Sequence, residues 1–277
     1  RPGRDDKILA DWNGMMIAAL ARAAVIFERP KWLKRAETAY RFVSNSMSRD
    51  GRLGHAYRDG KLTWPGFATD YAAMATAALA LSDATGDRQY LDDAVTCADL
   101  LETWHLSDDG TYRLAASDAE DVIIRMRSGV DEATPNPNGT AASLLIRLYH
   151  RTGEQRFIER ADRLFSAFAS DAAQNPVGHA SLLSALSLRT NGMQIVIIGD
   201  PDDSRTKGLV TAANRVPDPN RSLTVLPPGA DLPDNHPAAG KTRIDGRATA
   251  YVCRGETCSL PIADPTEFAA RVKSISG

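Results

Sequence analysis

The chain has 277 residues, and its 33 Lys and Arg against 35 Asp and Glu give a net charge of -2. Hydrophobic residues make up 43% and charged residues 25%, as is typical of a globular protein with a sizeable core. No basic patch stands out, so we expect no nucleic-acid partner. No apolar run approaches the roughly 20 residues that cross a bilayer, so we expect no membrane partner either.

Three cysteines, Cys97, Cys253 and Cys258, are too few for a disulfide-rich secreted scaffold and favour a reducing, cytoplasmic compartment. Cys253 and Cys258 lack the two-residue spacing of dithiol oxidoreductases. We expect a reduced structural pair, with a redox-active pair as the alternative. The chain opens at Arg1 without a Met or a signal peptide, so we expect it to be a piece of a longer polypeptide.

Apolar residues at helical spacing predict three helical hairpins and a seventh helix. Residues 85–94 and 152–161 match position by position, and in each repeat a Gly follows an apolar helix, where it closes the helix end. Many Ala residues allow the paired helices to approach closely, as in a doubly layered α/α toroid. The predicted helices span residues 11–27, 31–47, 67–84, 88–104, 138–151, 154–170 and 176–188.

Two long polar connections, residues 48–66 and 105–137, separate the hairpins. Residues 112–114 and 122–126 are predicted to form a short strand pair within the second connection. The pattern changes after Arg189, where strands at 194–199, 223–226 and 250–253 alternate with helices at 205–214 and 265–274. This predicts a small parallel α/β layer. We therefore assign residues 1–190 to the helical region and 191–277 to the α/β segment.

Polar and aromatic side chains collect at the three junctions that precede the first helix of each hairpin. In a toroid these junctions meet at one end of the central cavity, where carboxylates, an imidazole and flat rings would hold a sugar. The catalytic candidates are Glu132, Asp70 and His55. The substrate-binding candidates are Asp11, Trp12, Asn13, Trp64, Tyr71, Asn136 and Asn138. The alternative is helix capping by Asp11, Asp70 and Asn138, with His55 packing in its loop.

The remaining histidines, His105, His150, His179 and His236, show no metal-ligand spacing, so we expect no metal site. Gly199-Asp200 follows a strand but lacks the glycine pattern of nucleotide-binding turns. We expect no cofactor.

The junction motifs resemble one family, that of spermatogenesis-associated protein 20 and its bacterial relatives, which contain a thioredoxin domain. The similar segments are Arg4–Lys7, Asp11–Ala21, Asp59–Lys61, Gly66–Phe67, Asp70–Ala72, Pro135–Gly139, Ala250–Cys253, Cys258 and Pro261. The resemblance implies an (α/α)6 toroid, similar in shape to N-acylglucosamine 2-epimerases and six-hairpin glycosidases, of which this chain is a part. It also implies an N-terminal thioredoxin-like domain outside this chain. In relatives the loop at Pro135–Thr140 usually has the sequence Pro-Ser-Gly-Asn-Ser, which differs from the sequence here.

Two functions remain open. The toroid binds or converts a carbohydrate-like small molecule, or it is a non-catalytic scaffold for the thioredoxin-like domain in thiol redox or protein folding. In the second case Cys253 and Cys258 are the redox candidates.

Overall fold

A computed structural model of the chain describes residues 3, 5–120, 122–234, 236–255 and 257–275. The chain forms two compact units. Unit 1 comprises Arg1–Leu144 and Arg160–Leu183, and unit 2 comprises Leu145–Glu159 and Ser184–Gly277. Among the described residues, no helix is long and apolar enough to cross a membrane.

The predicted helical hairpins are confirmed, with ends that differ from the prediction by a few residues. The helices are α1 (Ala10–Ile26), α2 (Pro30–Ser46), α3 (Ala68–Thr85), α4 (Arg88–His105), α5 (Pro137–Thr152), α6 (Gln155–Gln174) and α7 (Ala180–Asn191). Gly86 and Gly153 adopt the left-handed conformation, with φ of 76° and 73°, that the repeat predicts.

Small residues bring α1 and α3 close together. Ala10, Ala21, Ala75 and Ala77 are all fully buried. At Gly14 the two helices approach so closely that a Cβ atom would lie 2.7 Å from the carbonyl carbon of Ala73. The starts of the two helices are therefore held in a fixed relation, which matters for the site described below.

The connection at residues 48–66 is not the loop that the sequence predicted. It holds a hairpin of β2 (Ser48–Arg49) with β3 (Arg52–Leu53), and β4 (Ala56–Arg58) and β5 (Lys61–Thr63) join β1 (Ile8–Leu9) in an antiparallel sheet of order β1-β4-β5. Strands of two or three residues are too short to show alternation. The missed signal is Asp-Gly at 50–51 and 59–60, which forms both two-residue turns with positive φ.

The strand pair predicted at residues 112–114 and 122–126 is wrong. Within the described residues this region has isolated bridges, one of them between Arg113 and Arg127, and Leu114 N donates to Met126 O at 3.0 Å. Ile123 and Ile124 are 100% and 74% exposed, so their β-branched side chains have no surface to pack on. A short strand is only weakly stabilised when neither of its faces packs against other side chains.

Unit 2 contains a four-stranded sheet of order β7-β6-β8-β9, built from β6 (Met193–Ile198), β7 (Arg221–Leu226), β8 (Thr249–Arg254) and β9 (Thr257–Cys258), with helices α8 (Ser204–Asn214) and α9 (Pro265–Ile275). β6 pairs parallel with β7 but antiparallel with β8, so the predicted parallel layer is mixed. A helical crossover through α8 joins β6 to β7, as parallel strands need. The connection from β7 to β8 spans residues 227–248, and its described part contains no helix.

The hairpin of β8 and β9 corrects the expectation of a reduced cysteine pair. Cys253 lies directly opposite Cys258 in the strand register, and the two residues form a disulfide. Two cysteines that are five positions apart along the chain therefore meet in a cross-strand contact. Cys253 is 4% exposed, whereas Cys258 is exposed.

The close contact at Gly14 can be tested by substitution. Gly→Ala in a helix normally stabilises by about 1 kcal/mol. We expect Gly14→Ala instead to lower the free energy of unfolding by about 1–3 kcal/mol, because the new methyl group meets backbone that cannot move aside. Urea unfolding measures the change. The control is Gly208→Ala in α8, where the Cβ would meet only side-chain carbons of Pro265; a Gly14 variant as stable as this control contradicts the argument.

Candidate active site at the starts of α1, α3 and α5

Asp70, in the first turn of α3, is completely buried and joins three segments of unit 1. Its Oδ2 accepts a hydrogen bond from Phe67 N at 2.7 Å, which satisfies a free N–H at the helix start. Its Oδ1 accepts from Asp11 N at 3.0 Å, in the first turn of α1. The carboxylate thus does more than cap its own helix.

His55 is the third partner of Asp70. Its Nδ1 lies 3.2 Å and 3.1 Å from the two carboxylate oxygens of Asp70. Backbone bonds fix the position of the residue, because His55 N donates to Thr63 O at 2.9 Å and His55 O accepts from Ala10 N at 2.9 Å. Since Nδ1 faces a carboxylate, the proton of a neutral imidazole belongs on Nδ1, and Nε2 is left as the acceptor.

The electrostatics of the pair favour a charged imidazole. The hydrogen bond that His55 donates to the Asp70 carboxylate raises the pKa of His55 above its usual value, and partial burial opposes this only in part. Burial raises the pKa of the Asp70 carboxyl. His55 therefore holds its proton to a higher pH than an unperturbed histidine does.

Asp11 connects this pair to a cavity. Ligand atoms of Asp11, His55 and Asp70 all lie within 4.8 Å of one another. Asp11 also lines a cavity of about 240 Å³ that is bounded by parts of α1, α3 and the start of α5. The lining residues are Asp11, Met15, Ala18, Ala19, Arg22, Thr69, Ala73, Thr76, Thr134, Pro135, Pro137 and Thr140.

The three junctions predicted to converge all contribute to this region. The third junction supplies Thr134 and Pro135 to the cavity wall, whereas Glu132 is exposed and does not line the cavity. Trp12 is 59% exposed at the start of α1. Asn13 donates from its side chain to Leu9 O at 2.8 Å, within its own helix start.

Asn136 and Asn138 are buried and hold the loop before α5. Asn136 Oδ1 accepts from Gly139 N at 2.8 Å and caps the helix. Asn138 Oδ1 accepts from Tyr112 N at 2.8 Å, and its Nδ2 donates to Ser128 O at 2.8 Å. Capping by Asp11 and Asn138 is not what the structure shows, because each lies in the second position of its helix.

The same loop is anchored by Asp131, which the sequence analysis did not single out. Its carboxylate accepts from Ser181 N at 2.7 Å, Ser181 Oγ at 2.6 Å and Asn136 N at 2.8 Å. Burial alone would raise the pKa of Asp131, but these hydrogen bonds lower it below its usual value. The anchored loop fixes the wall that Thr134 and Pro135 form.

Trp64 and Tyr71 belong to a different cluster around Arg52, a residue with no sequence signal. The Arg52 guanidinium lies 4.8 Å from the Trp64 ring centroid and 3.7 Å from that of Trp104. It pairs with Asp118 at 2.7 Å and 2.9 Å. Tyr71 is buried, and neither it nor Trp64 lines the cavity.

Asp11, His55 and Asp70 offer three ligand atoms close enough to hold a metal ion. Both oxygens of Asp70, however, already accept hydrogen bonds from backbone N–H groups and face His55 Nδ1. A metal ion bound to this set would displace the His55 contact. The geometry therefore favours a hydrogen-bonded Asp–His pair, and the expectation of no metal stays a prediction.

Comparisons with known proteins agree with this fold. Spermatogenesis-associated protein 20 from Rattus norvegicus is 29% identical over 281 residues, and the match covers 95% of this chain and 36% of that protein. The Homo sapiens protein of the same name is 29% identical over 285 residues, covering 97% of this chain and 36% of that protein. The resemblance noted in the sequence is thereby confirmed, and the chain spans about a third of the length of these relatives.

An α-mannanase of family 76 from Bacteroides thetaiotaomicron has a similar solved structure, with a TM-score of 0.56 and 16% identity over 99% of this chain and 72% of that chain. At this identity the likeness concerns the fold, which is the α/α toroid of six-hairpin glycosidases. The sequence profile of glycosyl hydrolase family 76 matches residues 2–183. The chain belongs to glycosyl hydrolase family 76.

The His55–Asp70 pair makes stability depend on pH. Because the pKa of His55 is raised in the folded protein, protonation stabilises the fold fully below the unfolded value of about 6.5, and the effect is lost as pH rises through the folded pKa. We expect His55→Gln to cost more free energy of unfolding at about pH 5.5 than at about pH 9, by urea unfolding.

His236 provides a control of opposite sign. Burial lowers its pKa, so the unfolded state binds its proton more tightly. The cost of His236→Gln should therefore shrink as the pH falls. An equal cost of His55→Gln at both pH values would show that Asp70 does not hold a charged imidazole.

Proposed function

We propose that the cavity in unit 1 binds a carbohydrate-like small molecule and that His55, held by Asp70, transfers a proton to or from it. The observation that carries the proposal is the Asp–His pair beside Asp11, which lines the cavity. Membership of a glycosyl hydrolase family supports the class of ligand.

The lining suits a sugar in two respects. Methionine, alanine and proline side chains offer apolar surface for a ring face, and threonine hydroxyls offer hydrogen bonds. Thr76 Oγ donates to Ala72 O at 2.8 Å and Thr140 Oγ donates to Asn136 O at 3.0 Å, so both oxygens remain free to accept from a ligand hydroxyl.

The buried state of Asp70 decides between two kinds of chemistry. Glycoside hydrolysis by two carboxylates needs both groups beside the scissile bond. Asp70 is 0% exposed and its oxygens are occupied by backbone N–H groups and His55, so it is unsuited to that role. The proposal therefore assigns proton transfer to His55 Nε2, with Asp70 stabilising the imidazolium that forms and Asp11 contacting the ligand.

Binding and proton transfer can be tested separately on the full-length protein. We expect isothermal titration against neutral monosaccharides to find a ligand whose affinity falls about 10-fold in Asp11→Asn, since a hydrogen bond to a charged group contributes about 1.5–3 kcal/mol. With that ligand in D2O, NMR should detect exchange of a carbon-bound hydrogen, and His55→Gln should abolish the exchange while binding remains. Asp108→Asn, an exposed carboxylate outside the cavity lining, is the control. Exchange that persists in His55→Gln contradicts the assigned role.

A second candidate function rests on the Cys253–Cys258 disulfide. We infer a cytoplasmic location from the low cysteine content, and disulfides in reducing compartments are usually transient or redox-sensing. In this alternative the toroid is a scaffold for a thioredoxin-like domain of the same polypeptide. A thiolate of a reduced dithiol attacks the exposed Cys258 sulfur and Cys253 leaves as a thiolate. The second thiol of the dithiol then resolves the mixed disulfide, so that two electrons pass from the dithiol to this pair.

Thiol trapping distinguishes the alternative. A dithiol such as reduced thioredoxin should convert the pair to two thiols that alkylation and mass spectrometry detect, and a thioredoxin whose second, resolving cysteine is replaced by Ser should be trapped as a mixed disulfide at Cys258. Cys97 is the internal control, because burial raises the pKa of its thiol to about 12 and leaves it unreactive. A pair that stays oxidised under these conditions rules out this candidate.

A further inference from the structure

Arg22 is a charged residue of the cavity that the proposed chemistry does not use. It lies on α1, on the same side as Asp11, and lines the cavity together with Met15, Ala18 and Ala19. It makes no hydrogen bond or ion pair with any residue that the structure describes. No motif in the sequence marks this residue.

Asp11 and Arg22, the two charged residues that line the cavity, lie at opposite ends of its α1 wall. Asp11 and Arg22 are eleven residues apart on one helix, and a rise of 1.5 Å per residue separates their Cα atoms by about 16 Å along the axis. Helical side chains lean toward the N-terminus, so the long Arg22 side chain extends back toward Asp11. The wall between them consists of methionine and alanine side chains.

We propose that Arg22 binds an anionic group, a phosphate or a carboxylate, of a sugar or polyol whose hydroxyl end meets Asp11, the neighbour of His55. This inference rests on the proposed function and specifies the class of its ligand. A guanidinium pairs with such groups through two parallel hydrogen bonds. The Asp11 carboxylate repels an anion, so the two charges also fix the direction in which the ligand binds.

The size of the cavity limits the ligand further. At about 240 Å³ it is smaller than the roughly 300–1,000 Å³ of sites for drug-sized ligands. That volume accommodates one sugar ring with one charged substituent. The walls that Ala18, Ala19 and Ala73 form fit the apolar face of that ring.

The experiment is isothermal titration of the full-length protein with matched ligands: glucose and mannose, their 6-phosphates, and glucuronate and mannuronate. We expect the best anionic ligand to bind at least 10-fold more tightly than its neutral parent. Arg22→Gln should remove that advantage without changing the affinity for the neutral sugar. Comparison of the phosphate and carboxylate series identifies the anionic group. The matched control is Arg35→Gln, an exposed arginine of α2 outside the lining, which should leave every affinity unchanged.

Each other result has a definite meaning. If neutral and anionic sugars bind equally, or if Arg22→Gln and Arg35→Gln weaken the anion alike, the inference about Arg22 is wrong while the proposed function stands. If no sugar of either kind binds, both are wrong.

Discussion

The buried carboxylate of Asp70 determines the geometry of the candidate site. An ionised group without contact to water is tolerated when hydrogen bonds compensate for the lost hydration. Asp70 obtains them from Phe67 N, just before its own helix, from Asp11 N, 59 residues away in α1, and from His55, 15 residues away in the preceding connection. The requirement to satisfy one charge therefore fixes the start of α1 against the start of α3. It also orients the imidazole, so that structural and chemical roles reside in one side chain.

The helical hairpins could be predicted because their information is local: apolar spacing, a closing Gly86 and alanines that permit close packing. The convergence of the junctions followed from the hairpin order alone. The bond between His55 and Asp70 could not be predicted, because residues at both positions also suit capping or loop packing. Arg52 shows the limit most clearly. Its setting between two tryptophans depends on where the β2–β3 hairpin places it, and no spacing along the chain encodes that.

Asp70 and Tyr71, which are consecutive residues at the start of α3, contact two different histidines. Asp70 faces His55, whereas Tyr71 packs against His105, with ring centroids 5.4 Å apart. Burial lowers the pKa of His105 to about 4, so this imidazole is neutral where that of His55 favours the charged form. At His105 burial outweighs the hydrogen bond to the Arg113 carbonyl oxygen, which raises the pKa, whereas at His55 the hydrogen bond to the Asp70 carboxylate outweighs burial. Two histidines near one helix start are thus assigned opposite electrostatic states.

The path of the chain through the two units has a consequence for where the protein can be divided. Residues 145–159, the end of α5 and the start of α6, belong to unit 2 although both helices continue into unit 1. His150 Nδ1 lies 3.0 Å from Ser222 Oγ, and Arg147 donates to the carbonyl oxygen of Arg221. A fragment that ends after α7 would leave the turn between α5 and α6 without Ser222 and Arg221. A fragment that begins after α7 would contain these two residues but lack the turn. A cut between α7 and β6 would therefore remove contacts of the third hairpin as well as the C-terminal strands.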